Sequence, residues 1–300
     1  MVKFFHHSCA KKGKAMSLIF KYRKLYDSET MELDKYTLDI LMNNRIFFSK
    51  AEDFNDPYDF LPTINLAPEK VERYCNEVLP VEVGESFKKA IASTSEQEIE
   101  KLFIERFRND FAVFCATRDH KNFLMWSHYG DNHKGICIAL KTYKNIENND
   151  VLHVETGQFK KIRAKSNETY FPLFPVRYSN ERPPQFDFVE NVINKKVPDF
   201  TLTKSKVWEY EDEVRAVMLI SNTDIQLVKL KQNQIAEVFI GSQVPQEIKD
   251  KLIEKLEGKG IVINEMRLSP TTYDLRTIEI ITRLDCEGIL KIIEYGIEDT

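Results

Sequence analysis

The sequence predicts an α+β fold: a mixed sheet with flanking helices in a single large domain. Three observations lead there. Apolar runs of strand length recur from Leu18 to Met266, and stretches with helical spacing alternate with them instead of filling one half of the chain. No segment reads as a linker, since only 10 glycines and 11 prolines are spread along 300 residues. A composition of 42% hydrophobic and 30% charged residues is that of a globular chain able to bury a sizeable core.

Leu18-Ile19-Phe20-Lys21-Tyr22-Arg23 reads as a short strand. Leu33, Tyr36, Leu38, Leu41 and Met42 fit a helix that stops at Asn43-Asn44, where a side-chain amide tolerates a left-handed cap. Arg45-Ile46-Phe47-Phe48-Ser49 is a strand, and Phe54-Asn55-Asp56-Pro57-Tyr58-Asp59 a turn-rich loop, because Asn and Asp close local turns and Pro fixes its own φ. Residues 69–110 read as mostly helical. Within them Ser95 and Glu98 form a capping box, with Ile99, Leu102, Phe103 and Phe107 at helical spacing behind it. Phe111–Thr117 is apolar on both faces, which suits a central strand. A short helix carries Leu124, Met125, Trp126 and Tyr129, and Gly135–Leu140 is another buried strand. Residues 142–170 are polar and read as loop. Pro175–Tyr178 is a short strand, and Pro183-Pro184 precedes a helix over 186–196. The Glu-rich stretch Trp208–Arg215 then runs as a strand into Ala216–Ile220, further strands follow at Val238–Gly241 and Ile261–Met266, and a helix runs from Pro245 to Leu256.

Residues 1–15 read as a tail or upstream extension, and 16–300 as the single domain, with Met16 as the natural start. Phe4-Phe5-His6-His7 and Lys11, Lys12 and Lys14 lack the apolar centre of a signal peptide. No apolar stretch approaches the roughly 20 residues that cross a bilayer. The expected location is therefore the cytoplasm, with no membrane partner. A net charge of −4 gives no overall pull toward nucleic acid, although 43 Lys and Arg leave room for a local basic groove. The five cysteines (9, 75, 115, 137 and 286) are unpaired in spacing, which argues against a disulfide framework; Cys115 and Cys137 read as buried thiols. Twenty Phe and twelve Tyr point to aromatic cores.

The densest chemistry lies in Trp208-Glu209-Tyr210-Glu211-Asp212-Glu213-Val214-Arg215, ahead of the apolar run Ala216–Ile220. On a strand, residues i and i+2 share a face, so Glu211 and Glu213 point together and Asp212 away. Such a pair can hold ribose hydroxyls and steady an oxocarbenium-like centre as a glycosidic bond breaks. It can equally be a charged strand end paired with Arg215, Lys204 or Lys206. His128, His133 and Cys137 match no metal-ligand spacing, so no metal is expected. Trp126 and Tyr129, three apart on a helix, fit a core as well as a stacking surface. Asn55 pins a turn or faces a substrate, and Arg23 offers a planar guanidinium shaped for phosphate. There is no Walker loop, GxGxxG, GxSxG or HExxH pattern.

Taken together, Lys21-Tyr22-Arg23, Ile46-Phe47-Phe48-Ser49, Phe54–Asp59, Met125-Trp126-Ser127-His128-Tyr129, His133–Ile138 and Trp208–Arg215 resemble a bacterial family catalogued as a domain of unknown function (number twenty-nine seventy-one). The resemblance spans about residues 18–245. That family is similar to abortive-infection proteins of phage defence. The order Arg23, Ser49, Glu211/Glu213 also resembles that of ADP-ribosyltransferases. This second resemblance implies NAD as cofactor. Glu213 would then stabilise the oxocarbenium and Glu211 orient the acceptor. Arg23 would bind phosphate or ribose and Ser49 support the nicotinamide ribose, with Tyr22, Asn55, Trp126 and Tyr129 completing the wall. Against it, residues 50–207 are longer than a compact transferase core needs, and no Thr or Ser neighbours Ser49. Two other readings stay open. One is a nuclease-type effector on nucleic acid, using Asp56, Asp59, Glu211 and Glu213 around a divalent ion. The other is a binding or sensing module without catalysis. The oligomeric state is not legible.

Overall fold

The predicted strands assemble around one sheet in a computed structural model that describes residues 17–145, 148–155, 169–187, 197–220, 226–284 and 290–296. In chain order the first elements are β1 (Ser17–Arg23), α1 (Lys35–Asn43), β2 (Arg45–Phe47) and β3 (Ser49–Lys50). The helices α2 (Pro68–Glu77), α3 (Val81–Ala92) and α4 (Glu96–Asp110) follow, then β4 (Phe111–Thr117), α5 (Phe123–His128) and β5 (Ile136–Lys144). Next come β6 (Asp150–Val154), β7 (Thr169–Pro172), β8 (Phe174–Pro175), β9 (Arg177–Ser179), β10 (Thr203–Ser205) and β11 (Glu213–Leu219). The chain closes with β12 (Leu227–Lys229), β13 (Ile235–Ile240), α6 (Gln246–Leu256), β14 (Val262–Leu268), β15 (Leu275–Leu284) and β16 (Leu290–Gly296).

Local chemistry explains the boundaries. Asp34 caps α1 by accepting the Thr37 N–H, and Asn44 ends it at φ 54°. The capping box at Ser95 and Glu98 starts α4 as the sequence predicts. The single strand expected over 45–49 is instead two strands. Phe48 is fully buried between them and gives its N–H to the Gln226 carbonyl. That kink sends β2 to pair with β12 and β3 to pair with β4. The described part of the polar run at 142–170 holds strands where loop is expected: β5 continues to Lys144 and β6 pairs with both β5 and β7. The helix expected over 186–196 lies mostly outside the described residues, as do Cys9, Cys286 and residues 1–16.

The main sheet runs β16-β15-β14-β13-β5-β1-β4-β11-β8. Among the described residues only the β13–β14 pair within it is parallel, and α6 makes that crossover, burying Ile248, Leu252, Ile253 and Leu256 against the sheet. One face of the sheet packs Ile19, Phe114, Ile138, Leu140 and Val238 with α6. The other packs Phe20, Tyr22, Trp126, Cys137, Phe239 and Met266. A third cluster of Phe60, Phe186 and Phe200, with Phe107 against it, uses much of the aromatic content and seats the loop after β3.

One irregularity positions the site. β1 pairs with β5 along its whole length, from Ser17 opposite Thr142 to Arg23 opposite Ile136. With β4, on its other side, it shares one paired position, Phe20 opposite Thr117. The middle of the sheet therefore parts between β1 and β4. Among the described residues, no helix is long and apolar enough to cross a membrane.

Candidate functional site

A cavity of about 350 Å³ lies at this parting. Its walls are β1 (Phe20, Lys21, Tyr22), β4 (Cys115, Ala116, Thr117), the loop after β3 (Asp53, Phe54, Asn55, Asp59), α5 and the Tyr after it (Met125, His128, Tyr129), and the approach to β11 (Lys204, Glu211, Glu213, Arg215), with Ser49 beside them.

The two carboxylates reach the cavity by a different backbone from the one predicted. Lys206–Glu211 forms a 3-10 turn, Asp212 takes a left-handed conformation at φ 39°, and Glu213 begins β11. A left-handed joint, not a strand pleat, thus brings Glu211 and Glu213 inward together. Asp212 turns outward as expected and pairs with Arg118 at 3.2 Å.

Arg215 organises the floor. It is fully buried, two residues beyond Glu213 on the same strand. Its Nε and Nη2 donate to the two oxygens of Glu213 at 2.8 and 2.9 Å, and Nη1 and Nη2 to those of Asp59 at 2.8 and 2.5 Å. Nη1 also donates to the Thr201 carbonyl at 2.9 Å, so every guanidinium nitrogen is used. Asp59 is delivered by the turn-rich loop, in which the Asp56 carboxylate accepts the Tyr58 N–H. Lys204 donates to Glu211 Oε2 at 2.6 Å, lies 3.7 Å from Glu213 and 3.8 Å from Asp59, and is covered by the Trp208 ring. The other Glu211 oxygen accepts the Tyr129 hydroxyl at 2.6 Å, and that hydroxyl accepts from Asn55 Nδ2 at 3.2 Å.

These contacts drive the two glutamates apart electrostatically. Burial opposes charge on Glu213, but the Arg215 guanidinium, its hydrogen bonds and Lys204 outweigh burial and hold the carboxyl at about 2. Burial pushes Glu211 above the ordinary glutamate value. Glu213 adds to that rise, while Lys204 and the Tyr129 hydroxyl pull against it. Burial works against charge on Lys204, yet Glu213, Glu211 and Asp59 together raise it above an ordinary lysine. Burial and Glu213 raise the Cys115 thiol, which leaves it protonated at neutral pH. Three carboxylates, of Asp59, Glu211 and Glu213, thus face two cations, Arg215 and Lys204, in this group.

Of the eight residues singled out in the sequence, Tyr22, Ser49, Asn55, Tyr129, Glu211 and Glu213 line the cavity. Arg23 does not line it: its Nε donates to Thr37 Oγ1 at 3.3 Å. Trp126 is fully buried behind the wall, edge-on to Tyr22 at 5.0 Å, with its indole N–H on the His120 carbonyl. Lys21 was not singled out, nor was Arg215 except as an ion-pair partner. Lys21 is marked by the strand alternation alone, since it shares a face with Arg23 and lies deeper along β1. Asp59 and Arg215, 156 residues apart, carry no joint signal in a single sequence. Among the described residues, no group of three or more His, Cys, Asp or Glu is arranged to hold a metal ion. The clustered acids here are held by Arg215 and Lys204.

A family model described as a protein of unknown function (DUF2971) matches residues 125–216. That span runs from α5 into β11 and so contains Tyr129, Lys204, Glu211, Glu213 and Arg215, but neither β1 nor the Asp59 loop. No curated protein and no solved structure matches the chain.

Proposed function

We propose that this cavity is the active site of a glycosyl-transfer enzyme that takes NAD as donor, in the manner of an ADP-ribosyltransferase. The observation that carries the reading is the pair Glu211 and Glu213, which share one cavity with opposite electrostatics. Breaking the nicotinamide–ribose bond leaves positive charge on the ribosyl centre. The reaction therefore needs fixed negative charge that is present before the bond breaks. Glu213, held ionised at the cavity wall by Arg215, supplies it. Glu211, with its raised pKa, is the better base for the proton of an attacking hydroxyl. Tyr129 and Asn55 fix the orientation of that base. Tyr22 and Ser49 complete the wall against which the nicotinamide ribose would rest. The setting we propose for the reaction, from the family resemblance in the sequence, is phage defence.

The test is release of nicotinamide from NAD by the purified chain. Glu213→Gln keeps the shape and removes the charge, so release should fall by roughly 100-fold, as when one preorganised electrostatic group is removed elsewhere. Unchanged release in that variant sinks the proposal. A nuclease reading needs Asp59, Glu211 and Glu213 free for a divalent ion. It would require both Arg215 and Lys204 to give up their partners, and it predicts nucleic-acid cleavage that stops with chelator.

A further inference from the structure

We propose that Lys21 is a nucleophilic amine of the cavity, one that captures an aldehyde or ketone as an imine. The inference comes from setting the cavity's two lysines side by side. Lys204 has a carboxylate at 2.6 Å, two more within 4 Å, and an aromatic ring over its ammonium. Lys21, across the same cavity, has one hydrogen-bond acceptor, the Cys115 carbonyl at 2.7 Å, and no ion pair among the described residues. The Phe114 ring, 5.3 Å from its nitrogen, gives weak compensation. An ammonium offers three donors, and a single carbonyl answers one of them. A neutral amine needs no more than that carbonyl and keeps a lone pair for the cavity.

The surroundings favour that neutral form. Burial lowers the pKa of Lys21, and the Arg23 guanidinium two residues along the strand lowers it further; Glu213 and Glu211 pull the other way. The Cys115 thiol, protonated at neutral pH, supplies no counter-charge. A desolvated lysine beside another cation is a recurring way to make an amine nucleophilic. The parting of the sheet explains why this lysine is available. β1 and β4 share one paired position, so the Cys115 carbonyl is met by the Lys21 side chain reaching across the gap.

The step balances without oxidant or reductant. The Lys21 nitrogen adds to the carbonyl carbon, a proton passes from nitrogen to oxygen, and the resulting hydroxyl leaves as water while the carbon–nitrogen double bond forms. Glu211, a carboxyl with raised pKa lining the same cavity, is the acid available to protonate that departing hydroxyl. The ligand class is a small carbonyl compound. The open-chain aldehyde of a sugar phosphate is the member closest to the glycosyl-transfer reading, but the inference does not require NAD.

The test is reductive trapping. Wild-type protein is incubated with ribose 5-phosphate and cyanoborohydride, digested, and mapped by mass spectrometry. Lys21 should carry the secondary-amine adduct at least ten-fold faster than exposed lysines such as Lys259. Lys21→Met keeps the length of the side chain without a charge and forms no imine, so the adduct should be lost while melting stays close to wild type. Adduct at Lys204, or at Lys21 no faster than at the surface, overturns the proposal on wild-type protein alone. Nicotinamide release from NAD is measured on the same preparation. Trapping without release overturns only the glycosyl-transfer reading, and release without trapping overturns only the role of Lys21.

Discussion

The chain uses the pattern Glu-x-Arg on a strand twice, and the two uses differ in kind. Glu265 and Arg267 on β14 pair at 2.9 Å, and Lys249 from α6 takes the other carboxylate oxygen. Arg267 is 40% exposed, so this trio fastens a crossover helix to its strand at the edge of solvent. Glu213 and Arg215 on β11 make the same local fork, but Arg215 is fully buried and its free side is filled by Asp59 from a distant loop. The lesson is that the pattern itself carries no function. What separates a fastening from a candidate site is the removal of water and an adjoining cavity.

The largest expected effect tests that separation directly. Arg215→Met leaves Asp59 and Glu213 buried without their cation and should cost about 3–5 kcal/mol. Arg267→Met, at a solvent-screened site, should cost no more than about 1 kcal/mol. Urea unfolding of both variants measures the gap, and equal losses would break the comparison. The next effect is in acid. Glu213 titrates at about 2 in the fold against 4.5 ordinarily, so its folded-state pKa is depressed. Its contribution is complete above 4.5 and is lost as pH falls from there toward 2. Glu213→Gln should flatten the stability curve in that window. Glu265 is also lowered, so Glu265→Gln should change the curve in the same direction but less, its site being partly wet. The smallest effect is Tyr129→Phe. It removes one hydrogen bond, worth about 1 kcal/mol, and one of the contacts that hold the Glu211 pKa down. If Glu211 is the base, the acidic limb of the activity profile moves to higher pH. A limb that stays put removes that role.

Much of the fold was legible because it rests on local chemistry. Asn44 tolerates the left-handed cap, Ser95 and Glu98 close a capping box, and Phe111–Thr117 is apolar on both faces because it lies mid-sheet. The hairpin at β5–β6 was hidden by the polar residues of its turn, around Asn145 and Asn149, which look like loop when read without their partner strands. Glu211 and Glu213 stood out by density of charge, but the left-handed Asp212 between them did not, since no glycine or asparagine marks it. Alternation placed Lys21 and Arg23 on one face of β1. How far the cavity extends along that strand depends on β4, a hundred residues away, and so the shallower cation drew attention first.

A missing stretch of ladder in the centre of a sheet has a further effect on what the hollow can admit. Two of its walls are strands, each tied on its outer flank, β1 to β5 and β4 to β11. The spacing of those two walls is thus set by the sheet itself and not by whatever enters.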